Sequence, residues 1–135
     1  MTTKSASVVA LMALATFAIF SLVVGAPYLE SRLPGGLPLG NVLAALVPCA
    51  MAGAAVVLSL RGTVLRAASL ASLVGAVLWL PGSVALAGNP ELNFGGERGS
   101  VWLALTIGVA AGSASTLLWA LAASVPARIR GTNAA

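Results

Sequence analysis

The chain contains no histidine and no aspartate, and its single cysteine is Cys49. Without imidazole, histidine ligation of haem or of a transition metal by this chain alone is excluded. A serine, a histidine and an acid cannot be assembled into a nucleophilic triad. One thiol forms no internal disulfide and carries no signal about redox compartment. With no base beside it, that thiol reads as a small hydrophobe rather than a nucleophile. Charge is also scarce: 7% of residues are charged, and the acids are Glu30, Glu91 and Glu97. None of them lies within a long apolar run, where proton relays and ion-coupled sites keep an ionisable group. The expectation is no enzyme and no cofactor. Any catalysis would have to draw its acid from Glu30, Glu91 or Glu97.

What the chain has in quantity is apolar length. Of its 135 residues, 59% are hydrophobic, far more than a water-soluble domain of this size can hide. Uncharged apolar runs cover about residues 6–26, 42–60, 67–88 and 101–125, each long enough to span a bilayer as a helix of roughly 20 residues. The expected fold class is therefore all-α. Residues 1–135 form one polytopic membrane domain, a four-transmembrane-helix bundle running up-down-up-down.

The net charge of +4 does not point to nucleic acid, because the cations are scattered over tails and connections without a patch or interleaved aromatics. Their placement orients the helices instead. Lys4, Arg61, Arg66, Arg128 and Arg130 fall on one side of such a bundle, and Arg32 and Arg98 on the other. Lys and Arg accumulate in short cytoplasmic loops, so the expected location is the plasma (inner) membrane with both termini cytoplasmic. All the acids then fall outside. The basic turn 61–66 divides the molecule into two hairpins.

The first run could be read as a secretory signal, since Val24, Gly25 and Ala26 resemble a small-residue cleavage site. Its length beyond the usual ~7–15 residues and the following Pro27 favour a retained first helix. Residues 27–41 hold three prolines and three glycines and exclude a continuous helix there. Tyr28 stands where an amphipathic ring settles among headgroups. In the second run Pro48 removes a backbone donor and bends the helix. Ala45, Cys49 and Gly53 recur there at four-residue spacing, making one face that a neighbouring backbone can approach. In the third run, Pro81 and Gly82 mark a kink or local unwinding. The fourth run carries a GxxxG spacing at Gly108 and Gly112, extended toward Ser115, which lets helices touch through their backbones. Trp102 and Trp119 are seventeen residues apart, about 25 Å along a helix, which suits the two interfacial belts of one bilayer. The hydroxyls within the spans are expected to bond back to their own helices.

Residues 25–30, followed by Gly35 and Gly36, can be laid over residues 88–93, followed by Gly95 and Gly96. Such a parallel repeat would relate the two hairpins by a pseudo-twofold axis along the membrane normal. The expected function is that of an accessory or structural subunit, with the lipid bilayer, other membrane-protein subunits or a second copy as partners. The alternative is an oligomeric pore or carrier for a small neutral solute.

Overall fold

A computed structural model describes residues 2–125. They form four long helices, α1 Thr3–Val24, α2 Leu39–Leu58, α3 Val64–Ala87 and α4 Glu97–Ser124, with a single 3-10 turn, Pro27–Glu30, between the first two. At 20 to 28 residues each, they rise about 30 Å or more. All four are long and apolar enough to cross a membrane. Their large side chains turn outward, with Phe20 65%, Val23 80% and Leu118 66% exposed. Apolar surface on that scale cannot face water in a monomeric soluble protein, whereas lipid solvates it at no cost. The protein is a four-helix, multi-pass membrane protein.

Threonines cap two of the four helix starts. Thr2 caps α1 by accepting from Ser5 N–H at 3.3 Å, and Thr63 caps α3 by accepting from Arg66 N–H at 3.2 Å. The helices accordingly begin three or four residues before the apolar runs do. Gly25 ends α1 in the left-handed conformation (φ 62°), a backbone state that costs glycine nothing.

The centre of the bundle is α2. It packs against α1, α3 and α4, and α3 packs against α4, while α1 meets the rest chiefly through α2. The inner surface of α2 is almost entirely alanine: Ala45, Ala50, Ala52, Ala54 and Ala55 are buried. Near the turn 59–63, Ala54 and Ala55 join Leu65, Leu117 and Ala120 in a closed core, with Leu11 and Met12 of α1 against it. A full pseudo-twofold would pair α1 with α4 as closely as α2 with α3. No comparable α1–α4 contact exists, so the repeat is incomplete in packing.

At the opposite end the two longer connections are tied together. The 31–39 segment folds on itself through Leu33 N–H to Leu37 O (2.9 Å) and Leu39 N–H to Ser31 O (2.8 Å). It meets the 88–96 connection through the Arg32–Glu91 ion pair and through Asn41 Nδ2 donating to Pro90 O at 3.1 Å. The ion pair is exposed and contributes at most about 1 kcal/mol. The tie through Asn41 is half-buried and fixes which loops touch.

Candidate functional site

Two seams and one groove organise the interior. The first seam joins α3 to α4 near the loop-bearing end. Trp79 is 6% exposed, and its indole N–H donates to Thr106 Oγ1 at 2.9 Å. Trp102 returns the bond, donating to Ser83 Oγ at 3.1 Å. The two indoles lie 6.4 Å apart between centroids, and Phe94 stacks on Trp102 at 4.9 Å. In lipid such side-chain bonds join helices that no hydrophobic force drives together. Trp102 is therefore committed to α3 and is not a free member of an interfacial belt. Trp119, 51% exposed, stands outward as expected. Tyr28 is 41% exposed but is tethered, its hydroxyl bonded to that of Ser21.

The second seam lies one stretch further along the same helix pair. A Cβ added at Gly112 would stand 3.5 Å from Ser72 Oγ of α3, in van der Waals contact with that side chain. One turn away Gly108 behaves differently. A Cβ there meets nothing within 4 Å, and the space belongs to an outward cleft of about 360 Å³ lined by Ala71, Ser72, Gly75, Leu105, Gly108 and Gly112. Ser115 is exposed. The GxxxG spacing thus closes at one glycine and stays open at the other.

On α2, Ala45 is buried and Cys49 half-buried, and a Cβ at Gly53 would touch Leu11 Cδ1 of α1 at 3.6 Å. Pro48 borders an apolar groove of about 320 Å³ that opens where α1 and α4 fail to meet, between Ile19 and Val23 on one side and Thr106 and Val109 on the other. Proline has no N–H for the carbonyl of Ala44, and Ala44 lines the same groove. Of the kink or local unwinding that Pro81 and Gly82 mark, α3 shows no unwinding: it runs through them as helix to Ala87. Both are exposed on its surface, with nothing within 4 Å of a Cβ at Gly82. No neighbouring backbone holds an unwound segment there, and in lipid an unwound segment would leave backbone groups unbonded.

The span hydroxyls mostly bond back. Thr16 donates to Met12 O, Ser69 to Leu65 O, Thr106 to Trp102 O and Thr116 to Gly112 O, each at 2.8 or 2.9 Å. Ser83 instead accepts from Trp102. Ser113 is fully buried, and its hydroxyl has no hydrogen-bond partner among the described residues. Ser113→Ala is expected to raise stability by about 1 kcal/mol, because an unsatisfied buried hydroxyl carries a desolvation penalty. Ser83→Ala is expected to lower it by removing the Trp102 acceptor. Thermal unfolding of the two variants in detergent checks this, and a loss in Ser113→Ala equal to that in Ser83→Ala would contradict it.

Of the topology residues, Lys4, Arg61 and Arg66 border one hollow at the end of the bundle bearing the turn 59–63. Arg128 and Arg130 lie outside the described residues. Among the described residues no three His, Cys, Asp or Glu side chains are grouped as metal ligands would be. Comparison with family models, with curated proteins and with solved structures returned no match.

Proposed function

We propose that this protein is a non-enzymatic accessory subunit of a larger assembly in the plasma (inner) membrane, with both termini cytoplasmic. Its partner helix seats in the cleft between α3 and α4. The observation that carries this reading is the open glycine. Gly108 has no neighbour within 4 Å of its Cβ position, although it stands in the motif that lets membrane helices approach most closely. Ala71, Ser72, Gly75 and Gly112 line the cleft together with Leu105 and Val109, so an incoming helix meets small residues flanked by two larger apolar ones. Short side chains also lose little freedom when covered.

The test is the mass of the native assembly in mild detergent. The wild type is expected to run with companion subunits. Gly108→Leu, which fills the cleft from its own side, is expected to release the bare monomer while leaving its thermal midpoint unchanged. Recovery of the wild type only as a free monomer would sink the proposal, and a homo-oligomer would replace the foreign partner with a second copy. The reading as a pore or carrier gains less support, because Thr106 and Thr116, two of the α4 hydroxyls that would line a path, bond back to their own helix. Solute flux into proteoliposomes containing only this protein separates the two, since a subunit alone leaves the vesicles tight.

A further inference from the structure

The hollow at the turn-bearing end gathers cations from three separate parts of the chain. Lys4 comes from the first turn of α1, Arg61 from the turn and Arg66 from the first turn of α3, around a volume of about 520 Å³. Among the described residues no carboxylate borders it. Glu30, Glu91 and Glu97 belong to the connections and helix start at the other end of the bundle.

Arg66 is held in place. Its Nη1 donates to Val56 O at 3.0 Å, with Ser59 O at 3.5 Å. The last carbonyls of a helix lack helical donors, and a cation is favoured beside them, so the guanidinium closes the end of α2. A guanidinium carries five N–H donors, leaving several for an acceptor in the hollow. Lys4 and Arg61 make no hydrogen bond or ion pair with another described residue and are exposed. Here α1 and α3 also begin, setting the positive ends of two helix dipoles beside the negative end of α2 that Arg66 closes. The remaining wall is formed by Val56, Val57 and Leu60 with Ser59, whose hydroxyl donates back to Ala55 O.

We propose that this hollow binds the phosphate of an anionic membrane lipid from the leaflet at that end. Phosphate oxygens lie against Arg61, Arg66 and Lys4, and the first methylenes lie against Val56 and Val57. Depth favours a lipid over a soluble anion: the hollow sits at the ends of spanning helices, at headgroup level, and Val56, Val57 and Leu60 have no use for free phosphate. Basic pockets between transmembrane helices bind headgroups by the same logic.

The experiment is native mass spectrometry of the purified full chain, delipidated and then supplied with phosphatidylglycerol or with phosphatidylcholine of the same acyl chains. Retention of phosphatidylglycerol in preference to phosphatidylcholine is expected, weakening as salt rises. Lys4→Gln with Arg61→Gln removes two cations and spares the Arg66 bonds that close α2. Each surface cation is worth about fivefold in lipid retention, so this double variant should lose about 25-fold while melting like the wild type. Arg32→Gln with Arg98→Gln, at the other end, should leave retention unchanged. Equal retention of the two lipids, no loss in the first double variant, or an equal loss in the second would each overturn the site. Displacement of the lipid by millimolar inorganic phosphate would overturn the assignment to a lipid and leave a free-anion site in its place.

Discussion

Gly112→Leu is expected to lower the thermal midpoint of the detergent-solubilised protein far more than Gly108→Leu, although the two glycines are one helical turn apart on the same motif. The reason is what each would meet. A first carbon at Gly112 already stands 3.5 Å from Ser72 Oγ, so alanine fits and a branched leucine crowds the Ser72 side chain at the floor of the cleft. Forcing extra carbons into a closed contact costs about 1–3 kcal/mol. In lipid no hydrophobic term between the helices makes up for the lost contact. At Gly108 the same leucine enters open space. Gly62→Leu, in the turn between α2 and α3, is the instructive comparison. Space there is also open, but φ is +77°, and holding leucine in the left-handed region costs roughly 1–2 kcal/mol. It should therefore be measurably destabilising through its own backbone, and Gly62→Asn, which tolerates that conformation, should recover much of the loss. Equal midpoints for Gly112→Leu and Gly108→Leu would contradict the close approach of α3 and α4.

The second large effect is expected from Trp79→Ala. In water-soluble cores such a truncation costs about 3–5 kcal/mol. Here lipid replaces water in the reference state and removes the transfer part, leaving lost packing and one lost hydrogen bond, on the order of 2 kcal/mol. Trp79→Phe keeps the ring and gives up only the bond to Thr106, so its loss should be near the ~0.6 kcal/mol typical of such bonds in membranes. Trp119→Ala, at an exposed position, serves as the baseline. If Trp79→Ala and Trp119→Ala unfold at the same temperature, the aromatic seam does not hold α3 to α4.

The overall architecture was readable from apolar length alone, because a run of roughly 20 uncharged residues has few other structures open to it. The starts of the helices were less readable. Thr2 caps a helix whose first turn is polar, and Thr63 one whose first turn carries Arg66, and an apolar run marks only the part of a helix that lipid covers. Which helix lies in the middle was hidden for a different reason. All four are apolar on every side, so periodicity gives no inner face, and only the density of buried alanines in α2 distinguishes it. The spacing of Trp102 and Trp119 suggested two membrane belts, yet the deciding pattern lay across helices. Trp79 with Ser83 and Trp102 with Thr106 are each four residues apart, which places an indole and a hydroxyl on one face of each antiparallel partner. The hollow bounded by Lys4, Arg61 and Arg66 was legible as charge bias but not as a cavity, since nothing in the sequence says that α1 returns beside the turn.

The alanine surface of α2 bears on how assembly proceeds as well as on what it looks like. Alanine has no side-chain rotamers to freeze, whereas each leucine or isoleucine that becomes ordered gives up about 0.5–1 kcal/mol of conformational freedom. The element that three others gather around thus surrenders little side-chain entropy across its alanine face when they arrive.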